Sequence, residues 1–164
     1  MRFRNALLAL LLVAPLGLAA QAPPPAGPPA ALKGPFAAMQ ANLNRVPNAA
    51  ERERWEANVA MWTVKMKKTV LEADDLDIMR KPFATMKANV AKITDAAEKE
   101  RWDANVAMWE VVMAAPGKVA KPGRDAMVKA LDTIKANLAK IRVAAERERW
   151  DANREMWTVT LRLM

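Results

Sequence analysis

The chain has 164 residues, a formal net charge of +8, and no Cys, His, Tyr or Ser. These absences exclude disulfides, the Ser and Cys nucleophiles and His base of hydrolase triads, and the thiolate and imidazole ligands of zinc and most copper sites. Carboxylates, Lys, Arg, Asn and a few Thr are the chemistry that remains.

Met1-Arg2-Phe3-Arg4-Asn5 is a short basic start, and an apolar run follows from Ala6 to Ala20 before Ala20-Gln21-Ala22. Basic residues, an apolar run and small residues flanking one position, in that order, predict a secretory signal peptide over residues 1–22. The run falls short of the about 20 apolar residues that a spanning helix needs, so no stable membrane span is expected once it is removed. Cleavage takes Arg2 and Arg4 away and leaves 24 basic against 18 acidic side chains, a charge of +6. The largest share of that excess lies between Ala114 and Lys129, in Lys118, Lys121, Arg124 and Lys129 against Asp125. Export and the lack of a basic stripe interleaved with reading residues argue against nucleic acid as a partner. Affinity for an anionic envelope surface fits the charge.

Residues 23–34 carry Pro23, Pro24, Pro25, Pro28 and Pro29 among Ala and Gly. That composition predicts an extended, semi-rigid linker. From Pro35 onward the chain repeats itself, and residues 35–66, 82–113 and 130–161 align without gaps. The clearest signature is Glu51-Arg52-Glu53-Arg54-Trp55-Glu56-Ala57-Asn58, which returns at Glu98 to Asn105 and at Glu146 to Asn153. A periodicity of this strength outranks any local motif.

Each copy reads as a helical hairpin. The first helix places Phe36, Met39, Leu43 and Val46 on one stripe. Phe83, Met86, Val90 and Ile93 match them in the second copy, and Leu131, Ile134, Leu138 and Ile141 in the third. In the second copy the stripe extends back through Met79 and Leu76, so Pro82 either lies within a longer helix or opens a shorter one. Asn48 and Asp95, each three residues before a Glu, cap the second helices, whereas the third copy has Val143 there and lacks the cap. Asp74, Asp75 and Asp77 lack the Gly and distal Glu of a calcium loop and fit a helix start better. The second helix is apolar on two sides, through Trp55, Val59, Trp62 and Met66 and through Ala57, Ala60 and Val64, as in a helix packed between neighbours. Arg154 and Glu155 replace the Val-Ala pairs at 59–60 and 106–107, the polarity expected of a terminal repeat capping a stacked array.

The expected fold is all-α: three helical hairpins, about six helices, in a bundle or short α-solenoid. Its strongest motif is a ladder of Trp55, Asn58 and Trp62, Trp102, Asn105 and Trp109, and Trp150, Asn153 and Trp157, on one helical face. These nine residues either form the candidate binding face, a platform for a sugar, peptide or lipid, or fill the interior, since one Trp buries roughly 150–250 Å². Asn42, Asn89 and Asn137 recur beside the first-helix stripe and suggest a bond fixing hairpin register, possible partners including the other Asn set. The Glu-Arg-Glu-Arg runs read as a solvated helix start with acids near the positive end of the dipole. The Met spacing is that of a core and not of a copper site.

No catalytic, cofactor-binding or metal residues are assigned. The expectation is a non-enzymatic exported helical-repeat protein, periplasmic or secreted, that binds or scaffolds a protein or anionic envelope component. The alternatives are an envelope enzyme acting on glycans through Glu53, Glu100 and Glu148 near the Trp ladder, and a carrier holding an apolar ligand between hairpins.

Overall fold

The structure is a computed structural model that describes residues 29–164 except Thr69 and Pro116. The predicted signal peptide and the linker up to residue 28 lie outside the described residues. Among the described residues there are six α-helices: α1 (Ala30–Ala41), α2 (Ala49–Lys65), α3 (Ala73–Val90), α4 (Ala96–Ala114), α5 (Lys121–Leu138) and α6 (Ala144–Leu163). A single 3₁₀ turn, Leu43–Arg45, follows α1.

The caps follow the residues that supply them. Asn48 accepts from the Ala50 and Glu51 amides at 2.8 and 3.2 Å, and Asp95 accepts from the Glu98 amide at 2.7 Å. Val143 gives α6 no side-chain cap. Asp75 accepts from the Glu72 amide at 2.9 Å, so the acidic cluster does begin a helix. Pro82 lies within the longer of the two expected helices, α3. The linker ends earlier than its composition suggests: residues 30–34 are helical, and Leu32 is buried. Ala30, Ala31, Leu32 and Lys33 are good helix formers, and burial of Leu32 anchors this turn against the bundle.

The three hairpins close into a bundle. The most extensive helix contacts run between copies, α2 on α3, α4 on α5, and α6 on α1. The last contact returns the third copy to the first, so the third hairpin is not the end of an open array. Arg154 and Glu155 therefore cap no free face. Arg154 is half-buried and pairs with Asp151 at 3.5 Å, and Glu155 is exposed, as are Ala60 and Ala107 at the equivalent positions. Closure leaves each second helix between two neighbours, which is why it is apolar on two sides. Met39, Met61, Met79, Met86, Met108, Met127, Ile134 and Met156 are wholly buried between them.

Candidate functional site

On α2 the positions 55, 58, 62 and 65 step by three and four and share one face. The same holds for 102, 105, 109 and 112 on α4 and for 150, 153, 157 and 160 on α6. Closing the ring turns these three faces inward, and equivalent residues meet in layers about a pseudo-threefold axis.

The central layer is a ring of asparagines. Asn58 Nδ2 donates to Asn153 Oδ1 (3.0 Å), Asn153 Nδ2 to Asn105 Oδ1 (3.0 Å), and Asn105 Nδ2 to Asn58 Oδ1 (3.1 Å). Each Oδ1 takes a second bond from an indole: Trp62 Nε1 to Asn153 (3.0 Å), Trp109 to Asn58 (2.9 Å) and Trp157 to Asn105 (2.9 Å). Both acceptor sites of every carbonyl are thus filled. The second N–H of Asn58 points at Met39 Sδ and that of Asn105 at Met86 Sδ, both at 3.5 Å. Ile134 occupies the corresponding place in the third copy.

Tryptophan triads flank this ring. Trp55, Trp102 and Trp150 meet edge to face with centroids 4.8–5.0 Å apart. Trp62, Trp109 and Trp157 pack at 4.6–4.8 Å, two pairs edge to face and the Trp62–Trp157 pair tilted. All nine ladder residues are at most 1 % exposed. They form the interior of the bundle, and none of them presents a face to solvent.

A layer of ion pairs covers the first triad. Arg54 donates to Glu98 and to the Asn89 carbonyl (3.3 Å). Arg101 donates to Glu146 (2.8 Å) and the Asn137 carbonyl (3.5 Å). Arg149 donates to Glu51 (2.8 Å) and the Asn42 carbonyl (3.2 Å). Each guanidinium also lies over an indole of another copy, Trp102, Trp150 and Trp55 respectively, at 5.5–5.6 Å. Each Arg therefore joins its own copy to a neighbour's glutamate, ring and first-helix C-terminus, where a cation opposes the helix dipole.

This corrects the solvated reading of the Glu-Arg-Glu-Arg runs, because the second Arg of each run is buried. The signal was present in its fixed place one residue before the first Trp. Burial pushes the Glu146 carboxyl above its ordinary range; Arg101 pulls it down, while Glu51 and Glu98 push it further up.

The first-helix asparagines do not bond the second set. Asn89 Nδ2 donates to Glu53 (2.8 Å) and Asn137 Nδ2 to Glu100 (2.9 Å). Asn42 donates to the Ala38 carbonyl, and Glu148 lies 3.8 Å from Arg45. Glu53, Glu100 and Glu148 are spread over separate seams and do not converge on one centre. Among the described residues no group of three or more His, Cys, Asp or Glu is placed to hold a metal. Among the same residues no helix is long and apolar enough to cross a membrane.

The axial ladder changes at its last step. Positions 65, 112 and 160 carry Lys65, Val112 and Thr160, three unlike residues where every deeper layer repeats one. A cavity of about 530 Å³ opens there, bounded also by Leu32, Leu71, Val119 and Met164. Gly117, at φ +103°, turns the α4–α5 connection along its wall. Burial lowers the Lys65 pKa from its usual value. No family model, curated protein sequence or solved structure matches this chain.

Proposed function

We propose that this chain is a non-enzymatic exported module that docks on an anionic envelope component and acts as a rigid scaffold there. Internal use of the recurrent polar groups supports the non-enzymatic reading. The Asn ring, the Arg–Glu pairs and the Asn–Glu seams engage one another, and Glu53, Glu100 and Glu148 sit on separate seams.

The observation that carries the docking is the basic segment entering α5. Lys118, Arg124 and Lys129 are exposed and make no ion pair among the described residues, while Lys121 is bound to Asp125 at 2.7 Å. Basic residues near an anionic surface contribute about 1 kcal/mol each.

Cosedimentation with vesicles tests the reading. Binding is expected to vesicles containing phosphatidylglycerol and not to pure phosphatidylcholine, and to be lost at high salt. Lys118→Gln with Arg124→Gln and Lys129→Gln should weaken it by about a hundredfold. Equal binding to both vesicle types, or none to either, refutes it.

A further inference from the structure

The axial cavity has the makings of a ligand site whose chemistry differs from that of the basic segment. The Trp62, Trp109 and Trp157 triad closes the layer beneath it. One step further along the axis, Lys65, Val112 and Thr160 leave about 530 Å³ open. That volume falls within the range of about 300–1,000 Å³ usual for small-molecule pockets.

The wall is aliphatic, chiefly Leu32, Leu71, Val112 and Val119, with no aromatic or acidic side chain among the described residues that form it. Its ammonium groups are already accommodated. Lys65 interacts with another group of the chain, Lys68 is held by Glu72 and Asp75 at 2.7 and 3.1 Å, and Lys118 is exposed to water. What the wall offers a guest is apolar surface, and no charge in it depends on a guest for compensation.

Thr160 adds an independent observation. Thr63, Thr133 and Thr158, also on helices, each donate to the carbonyl four residues back, at 2.8, 3.3 and 2.8 Å. Thr160 makes no such bond: it is 4 % exposed, and its Oγ1 is buried without a hydrogen-bond partner. A hydroxyl in that condition is costly, and most are satisfied. A helical Thr divides between two χ1 rotamers, so rotation about one bond brings this hydroxyl to a guest oxygen at the cavity wall.

We propose that this cavity binds a neutral, single-chain aliphatic molecule with one oxygen near its end, of the fatty-ketone or fatty-aldehyde class. The chain lies against the aliphatic wall, and the carbonyl oxygen accepts from Thr160 Oγ1. A neutral ligand enters without the desolvation cost that a charged headgroup would carry into an aliphatic space. The site does not rest on the docking proposed above, because Lys118 takes no part in holding the ligand.

Titration of the bundle with methyl heptyl ketone, followed by methyl NMR, tests the assignment. Saturable 1:1 binding is expected, with shifts centred on Leu32, Leu71, Val112, Val119 and Thr160, and at least tenfold weaker binding of nonanoate and of octyltrimethylammonium. Affinity should rise about threefold for each methylene added between methyl pentyl and methyl heptyl ketone. Thr160→Val should weaken ketone binding about fivefold and leave the binding of hexene, which has no oxygen, unchanged. Val119→Trp, in the α4–α5 connection, should fill the space and lower ketone affinity at least tenfold while the circular dichroism stays unchanged. Absence of saturable binding, shifts centred elsewhere, a charged compound binding as well as the ketone, or equal loss of ketone and hexene in Thr160→Val would each overturn it. Lys118→Gln separates the two readings: ketone affinity should stay within about twofold of wild type, whereas vesicle docking on the same preparations reports on the basic segment alone. A larger loss of ketone binding in that variant would refute the neutral site.

Discussion

The two ends of the pseudo-threefold axis solve the same geometric problem differently. At the Arg end, the copies present identical residues, and identity lets each side chain serve the next copy as the previous one served it. One Asn amide is both donor and acceptor, so three of them close a ring, and the three indoles supply the remaining donors. At the other end Lys65, Val112 and Thr160 have no such reciprocity, and the result is a cavity with an unpartnered hydroxyl. Reciprocity saturates the Asn ring itself, while the Arg54, Arg101 and Arg149 Nε atoms and Trp55 Nε1 stay buried without a partner at the symmetric end; where the repeat fails, space opens.

Substitutions at the two ends should part company sharply. Trp102→Ala empties a wholly packed layer and should lower unfolding free energy by about 3–5 kcal/mol in a urea titration. A midpoint within error of wild type would contradict the packing described. Asn105→Leu comes next. It removes the acceptor for Asn153 Nδ2 and Trp157 Nε1, and each stranded donor costs about 1–3 kcal/mol, so a loss of about 3 kcal/mol is expected. A loss below about 1 kcal/mol would mean that the ring is not satisfied as a unit.

Thr160→Val is the matching test at the asymmetric end, and the sign reverses. The hydroxyl has no partner to strand, so an isosteric apolar group should leave stability unchanged or raise it by up to about 1 kcal/mol. A clear loss would show that Oγ1 is bonded after all.

The smallest effect concerns Glu146. Its carboxyl holds its proton to higher pH in the fold than in the unfolded chain. The folded state therefore binds more protons between the two values, and this group's contribution falls as pH rises from about 4.3 through the raised value. Glu146→Gln cannot ionise, so that fall should be absent. Urea midpoints from pH 4 to 7 should show wild type losing stability relative to the variant as pH rises. A flat or opposite difference would refute the shift.

Much of the fold is legible in the sequence. The repeat boundaries, the Asn48 and Asp95 caps, the missing cap at Val143 and the apolar stripes all follow from local spacing, because caps and helix faces are set within a few residues. The ladder of Trp55, Asn58 and Trp62 was equally visible, but one face of one helix does not reveal whether it meets solvent or two copies of itself. The same ambiguity hid Arg54, Arg101 and Arg149. An Arg beside Glu in a charged run looks solvated until a neighbouring copy brings a glutamate, an indole ring and a helix end to it. Arg154 and Glu155 misled in the other direction, since polarity in a last repeat has the same appearance at a free end as at a closing seam.

The all-helical composition, the three copies of one hairpin and the Trp–Asn–Trp face in each follow from hydrophobic period and from capping chemistry that acts over one turn. That the copies close on one another, that the faces turn inward and that the polar residues pair around the axis is a matter of packing between copies. Those outcomes rest on contacts between residues roughly 35 to 107 positions apart, and a repeat fixes such contacts only once its neighbours are in place.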